Sequence, residues 1–218
     1  RQDLLKDILK IEGIERVRIG SVYPDKISDE FIEMFSNPKL MPHLHISLQS
    51  CDDTVLKRMR RKYGSSLIEE RLTKLRKAVP NMEYTADVIV GFPGESQEMF
   101  ENSYNLIDKI GFSGLHIFQY SDRENTLAST FEDKIDPKVK KERADELEKL
   151  KEIMAERERK KYLDRELKVL VEEEKDGYLY GYSENYLRVK FKGKATSLNH
   201  IVSVKIDSLE KEMLIGNE

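Results

Sequence analysis

The sequence has no tryptophan and a single cysteine, Cys51, among its 218 residues. One thiol cannot form an internal disulfide, and it cannot by itself hold an iron–sulfur cluster, which takes several thiolates. Long apolar runs are also missing: no stretch approaches the ~20 residues that are needed to cross a bilayer, and nothing resembles a signal peptide. We therefore expect a cytoplasmic protein.

A large charge of one sign is absent as well, because the net charge is only −3 although 36% of the residues are charged. This balance gives no overall signature of nucleic-acid binding, so any RNA contact has to come from a local patch. With 39% hydrophobic residues the chain can bury a core, and it has room for one large domain or two smaller ones.

The most informative segment is residues 84–95, YTADVIVGFPGE. Its apolar run at residues 88–90 predicts a buried parallel strand, and the Gly-Phe-Pro-Gly sequence that follows predicts a tight loop. Ser96 is placed to cap the next helix. Loops at the carboxyl ends of strands are where α/β barrels carry their chemistry. A purely structural turn between strand and helix explains the same residues equally well at this point.

Four predicted strands alternate with helical patterns, which indicates a parallel sheet of the α/β class. We place them near residues 17–19, at residues 44–48, around Asp87 and at residues 115–118. Four such units are too few to close an eight-stranded barrel. Asp136 and Pro137 then start a charged helix that runs to about residue 163, which we interpret as a connector with a solvated face.

Beyond that helix the apolar period changes to two, which predicts a small antiparallel β-barrel of ~50 residues. Two sets of residues in it are each spaced by two, the cations Arg188, Lys190, Lys192 and Lys194 and the aromatics Tyr178, Tyr180 and Tyr182. A row of cations beside a row of aromatics can hold phosphates and stack bases. The alternative is that the lysines protect an edge strand and the tyrosines cover the barrel.

The four histidines give no clear metal signature. His43 and His45 point to one face of a strand and form a possible metal pair, although buried, hydrogen-bonded histidines are more common. His116 and His200 have no evident partner in the sequence. We assign no metal to any of the four.

Five motifs occur in a recognisable order: RIGSVYP, HLHISLQS, VLKRMRRKY, DVIVGFPGE and FQYSDRENT. Together with the charged helix and the small barrel, they closely resemble the radical S-adenosylmethionine (SAM) methylthiotransferases over essentially the whole chain. RIGSVYP and MRRKY look most like the branch that adds a methylthio group at C2 of threonylcarbamoyladenosine, next to the anticodon of tRNA. Alternatives are the branches that act on isopentenyladenosine in tRNA or on a ribosomal protein, and a noncatalytic RNA-binding protein.

The resemblance implies a fold and a set of cofactors. It implies a partial (β/α) radical-SAM barrel at residues 1–135, a connecting helix at 136–162 and a TRAM-like RNA-binding β-barrel at 163–218. Intact family members bind SAM and two 4Fe–4S clusters, whose cysteines, including a CxxxCxxC loop, are not in this chain, and they need an electron donor and a sulfur source. Arg1 therefore looks like a cut inside the barrel. We expect the fragment to contain no catalytic residue, to be inactive alone and to self-associate through its open sheet edge.

The resemblance also implies site residues. Gln49 would hold SAM through its amide, Arg61 would pair with the methionine carboxylate, and Asp87 would accept hydrogen bonds from the ribose, while the backbone around Ile89 and Gly91 would lie against adenine. Without the resemblance, the first three residues suggest a core amide, a surface cation and an ion pair. On the C-terminal barrel, we expect tRNA to contact Arg188, Lys190, Lys192, Tyr180 and Tyr182.

Overall fold

The computed structural model describes residues 2–218 and contains a parallel sheet, six α-helices and a closed β-barrel in that part of the chain. Arg1, where we interpret the chain as cut, lies outside the described residues. No helix within residues 2–218 is both long and apolar enough to cross a membrane.

The parallel sheet has four strands in the order β1-β2-β3-β4. They are β1 at Ser21–Val22, β2 at His43–Gln49, β3 at Glu83–Val90 and β4 at Gly114–Gln119. Five helices precede or connect these strands: α1 at Gln2–Lys10, α2 at Asp29–Glu33, α3 at Asp53–Arg58, α4 at Ser65–Ala78 and α5 at Gln97–Ile110. The predicted α/β class with parallel βα units is therefore confirmed.

The predicted position of the first strand is wrong. Val17 forms only an isolated bridge to Leu40, and the paired strand is Ser21–Val22. Pairing is decided by register with β2, where Ser21 lies opposite His45, and apolar alternation alone does not contain that information.

The two faces of the sheet differ in polarity. One face packs into the core against the helices, with Leu44, Ile46, Tyr84 and Val88 almost fully buried. The opposite face carries polar residues at alternating positions of the central strands, so the buried strand that the sequence predicts at β3 is covered on one face only. This uncovered face holds most of the predicted site.

The long helix α6, Pro137–Lys160, starts where the sequence predicts, because the Asp136 side chain accepts a hydrogen bond from the backbone N–H of Lys138 at 2.7 Å. It does more than connect. Leu147, Leu150 and Met154 are buried in the same core as the parallel sheet.

The C-terminal strands form a closed barrel in the order β5-β6-β7-β9-β8. They are β5 at Glu166–Lys175, β6 at Tyr178–Ser183, β7 at Arg188–Lys192, β8 at Ile201–Glu210 and β9 at Met213–Asn217. The prediction of a purely antiparallel barrel is wrong, since β7 and β9 run parallel. Strand directions cannot alternate around a ring of five, so at least one neighbouring pair has to be parallel.

Polar contacts that sequence analysis missed join the barrel to the sheet. The Tyr162 hydroxyl donates to Glu83 Oε1 at 2.6 Å, and Asn185 Nδ2 donates to the Asn81 carbonyl at 3.2 Å. Nearby, the Arg18 guanidinium lies 3.3 Å from the ring centroid of Tyr186. Glu83 is buried at this junction, and burial raises its pKa to about 7.

Candidate functional site

A cavity of about 580 Å³ opens at the carboxyl ends of the parallel strands. Gln49 from β2, Asp87 and Ile89 from β3 and Arg61 from the loop after α3 all line it. Its size is that of a small-molecule site, and parallel βα units bring their carboxyl-end loops to one rim. Four of the five residues predicted to hold SAM therefore surround one space.

Arg61 is one of four arginines that line this cavity, with Arg58, Arg60 and Arg123. The turn that follows α3 is closed by the Arg61 backbone N–H, which donates to the Leu56 carbonyl at 2.9 Å, and the guanidinium lies 5.4 Å from the Tyr23 ring. Within the described residues, its buried Nε has no hydrogen-bond partner. Because a buried donor without a partner is costly, this group is suited to an anionic ligand such as a carboxylate.

Gly91 is the exception among the predicted residues, since it is not among those that line the cavity. Its φ of 71° is a left-handed conformation that favours glycine, and a Cβ there would overlap the Lys140 side chain. The structure therefore explains the glycine at position 91 by its backbone conformation and by close packing against Lys140 of α6.

The loop that contains Gly91 is anchored by a buried ion pair. Glu95 Oε1 accepts hydrogen bonds at 2.8 Å from the Gly91 N–H and from Arg143 Nη1, and both charged side chains are almost fully buried. Burial raises the pKa of Glu95, while the Gly91 N–H and Arg143 oppose that shift. The sequence gives little indication of this ion pair, because its only local sign is a glutamate after Pro-Gly. The partner, Arg143, lies far along the chain on α6.

A chain of polar side chains crosses the uncovered face of the sheet. Asp87 Oδ1 lies 3.0 Å from His45 Nε2 and 3.1 Å from His116 Nδ1. Thr85 Oγ1 lies 2.8 Å from His45 Nδ1 and 3.2 Å from His43 Nε2. The expectation that His116 has no partner is wrong, because β4 pairs His116 directly opposite Asp87. Burial, followed by the charge of Arg18, lowers the pKa of His43 to about 3, so its ring is neutral at neutral pH.

The predicted RNA residues lie side by side on the outside of the C-terminal barrel. Strand pairing sets Tyr180 opposite Lys190 and Tyr182 opposite Arg188, and Arg188 lies 5.0 Å from the Tyr182 ring centroid. Lys192 lies 5.8 Å from the ring of Tyr178. The intervening Val189 and Phe191 are fully buried. The alternation by two thus separates a basic, aromatic outer surface from the barrel core.

Two features decide how this surface can act. Strand β7 lies between β6 and β9 in a closed barrel, so the alternative that its lysines protect an edge strand does not hold. Acidic neighbours contact two of the cations: Glu173 lies 3.0 Å from Arg188, and Glu210 lies 3.2 Å from Lys190. Any phosphate has to compete with these exposed pairs, whose strength is modest.

Cys51 supports no cluster. It is almost fully buried, and burial raises the pKa of its thiol well above the usual range. Its backbone N–H donates to Ser103 Oγ at 3.0 Å. A buried, protonated thiol is a core residue.

Comparison with known proteins identifies the family. Residues 1–107 match the radical SAM superfamily. Over these residues the chain belongs to that superfamily. It is 43% identical over 203 residues to the threonylcarbamoyladenosine tRNA methylthiotransferase MtaB of Bacillus subtilis, a match that covers 90% of this chain and 45% of the relative. It is 42% identical to the protein of the same name from Thermotoga maritima, with coverage of 98% and 49%.

The similarity extends to a neighbouring branch. The chain is 38% identical to the tRNA-2-methylthio-N(6)-dimethylallyladenosine synthase of Aliarcobacter butzleri, with coverage of 98% of this chain and 50% of the relative. The chain thus spans about half the length of the curated relatives it matches. The predicted resemblance to radical SAM methylthiotransferases is confirmed.

A solved structure shows the fold alone. Coproporphyrinogen III oxidase from Escherichia coli, a radical SAM enzyme, matches with a TM-score of 0.57 at 16% identity, covering 67% of this chain and 36% of that one. Membership of the superfamily implies SAM and a 4Fe–4S cluster as cofactors. The residues that we assign to SAM and to RNA remain predictions.

Proposed function

We propose that this chain is part of a radical SAM methylthiotransferase that modifies tRNA at C2 of threonylcarbamoyladenosine next to the anticodon. The observation that carries the proposal is the common cavity of Gln49, Arg61 and Asp87. Two relatives named for threonylcarbamoyladenosine match at 43% and 42% identity, and these matches support the proposed substrate.

The residues of the cavity have distinct roles in this proposal. Arg61 binds the methionine carboxylate of SAM, Asp87 accepts hydrogen bonds from the ribose, and Gln49 contributes an amide donor and acceptor. The Ile89 backbone lies toward the adenine, and Gly91, which does not line the cavity, would take part only through the loop that continues from this strand. SAM and a reduced cluster, when bound, would supply the radical chemistry, and Gln49, Arg61 and Asp87 would hold and orient SAM.

The C-terminal barrel binds tRNA in the same proposal. Arg188, Lys190 and Lys192 hold phosphates, and Tyr180 and Tyr182 add aromatic contacts to the RNA. In this proposal the chain has three parts: the partial barrel at residues 1–135, the connecting helix at 136–162 and a TRAM-like RNA-binding module at 163–218. Phosphate contacts supply affinity and orientation, and the modified base is selected elsewhere. An electron donor and a sulfur source complete the reaction, which we assign to the cytoplasm. Self-association through the β1 edge of the sheet remains a prediction for the chain alone.

The substrate is tested by nucleoside analysis of tRNA from a strain that lacks the gene. We expect methylthiolated threonylcarbamoyladenosine to disappear from this strain and to return when the intact gene is supplied. It should stay absent when the supplied gene carries Asp87→Ala. The control is a gene that carries Asp7→Ala, whose side chain is exposed on α1, and it should restore the nucleoside. Loss of the dimethylallyl derivative instead would assign the other tRNA branch. Unchanged tRNA nucleosides would favour a ribosomal protein substrate or a noncatalytic RNA-binding role.

The tRNA surface is tested by charge reversal. Arg188→Glu with Lys190→Glu should weaken tRNA binding and flatten its salt dependence, because fewer counterions are released. The matched control reverses Lys138 and Lys141, two exposed lysines on α6. If the folded barrel variant keeps the parental salt slope, the surface is not an RNA site.

A further inference from the structure

We propose that His45, Asp87 and His116, brought together on the uncovered face of three neighbouring parallel strands, form a binding site for a divalent transition-metal ion. This inference does not depend on the proposed tRNA activity, since it uses only the geometry of these side chains. A set of two imidazoles and one carboxylate on one face of an ion is a known arrangement for first-row metals and leaves open coordination positions.

The spacing of the ligand atoms fits such an ion. Asp87 Oδ1 lies 3.0 Å from His45 Nε2 and 3.1 Å from His116 Nδ1, and the ligand atoms all lie within 4.8 Å of one another. Metal bonds to nitrogen and oxygen are about 2.1 Å long, so neighbouring ligands at right angles are about 3.0 Å apart. Two of the three separations already have this value. His116 is 66% exposed, so its ring has room to close the third.

The surroundings of His45 provide a second, independent observation. A histidine that binds a metal through one ring nitrogen almost always pairs the other with a hydrogen-bond partner, which fixes its orientation. His45 meets this condition, because its Nδ1 lies 2.8 Å from Thr85 Oγ1. Thr85 is in turn 3.2 Å from His43 Nε2, so the ring that presents Nε2 to Asp87 is supported from behind.

The chemistry of the ligands selects the class of ion. Imidazole suits zinc, cobalt, nickel and iron, whereas magnesium and calcium prefer sites made only of oxygen atoms. Asp87 also lines the carboxyl-end cavity, so the open positions of the ion would be accessible to small ligands there. Within the described residues, Asp87 Oδ2 accepts no hydrogen bond, which leaves a second carboxylate oxygen for the ion or for a cavity ligand.

The competing interpretation is a hydrogen-bonded cluster in which both rings donate to Asp87 and no ion binds. The two are distinguished by titrating the 218-residue chain, prepared without a histidine tag, with Co²⁺ followed by visible absorption and with Zn²⁺ by calorimetry. We expect one ion to bind per chain.

Two variants and one control test the ligands. His116→Ala removes an exposed ring, and Asp87→Asn keeps the side-chain shape, so each should lower the affinity at least ~10-fold. The control is His200→Ala, which removes an exposed histidine on the barrel and should leave affinity unchanged. Thermal melting checks the fold of each variant, and His116→Ala alone decides the matter if Asp87→Asn is unfolded. The proposal is overturned if no stoichiometric Co²⁺ band forms, or if binding survives His116→Ala.

Discussion

Glu83 gives the stability of this protein a specific pH dependence. Its side chain is 1% exposed, and Oε1 accepts the Tyr162 hydroxyl hydrogen bond at 2.6 Å. Within the described residues, the buried Oε2 atom has no partner. Burial raises the pKa of this carboxyl from 4.5 to about 7, since desolvation disfavours its charged form.

The size of the effect follows from linkage. The shift from 4.5 to about 7 corresponds to a free-energy difference on the order of 3 kcal/mol, at 1.36 kcal/mol per pKa unit. The folded state binds the extra proton, so the contribution to stability is fully present below pH 4.5. It is lost as the pH rises toward 7, and it stays lost above that value. Glu83→Gln removes this titration while keeping the shape and the acceptor for Tyr162.

Urea denaturation of both proteins from pH 4.5 to 8 measures the effect. We expect the free energy of unfolding of Glu83→Gln, relative to wild type, to rise by about 3 kcal/mol across this range. Glu146→Gln, at an exposed position of α6, is the matched control and should show no such change. A wild-type to Glu83→Gln difference that does not vary with pH would refute the assignment of a raised pKa to Glu83.

Two further substitutions test the loop after β3. Gly91→Ala should destabilise the protein by about 1–3 kcal/mol more than Gly13→Ala. Both glycines have positive φ, but only at Gly91 would a Cβ overlap the Lys140 side chain. Equal losses of stability in urea denaturation would contradict this account. Arg143→Met should cost about 3–5 kcal/mol by leaving the buried Glu95 carboxylate without its cation, and a loss below about 1 kcal/mol would show that the pair is not needed.

Local signals allowed much of the fold to be predicted from the sequence. The apolar runs located β2, β3 and β4, and Ser96 and Asp136 accept the capping hydrogen bonds that their positions predict. These features depend on neighbours a few residues away. The position of β1 and the parallel pairing of β7 with β9 depend on register and on ring closure, which no short window of sequence contains.

The site divides in the same way. Because parallel strands bring their carboxyl ends to one rim, the common location of Gln49, Arg61 and Asp87 followed from topology. The ion pair of Arg143 with Glu95 joins residues 48 positions apart, and the hydrogen bond between Tyr162 and Glu83 spans 79. These contacts depend on how α6 packs and on where the barrel docks. They could not be predicted from the pattern of residue types along the sequence.

The central claim is that the cavity at the strand ends holds SAM, and the most direct test is the SAM affinity of the intact enzyme with Arg61→Ala. Removing a charge-assisted pair costs about 1.5–3 kcal/mol, so we predict an affinity lower by roughly tenfold to a hundredfold. Lys62→Ala is the control, since this exposed neighbour does not line the cavity. Equal SAM affinities in the two folded variants would contradict the account.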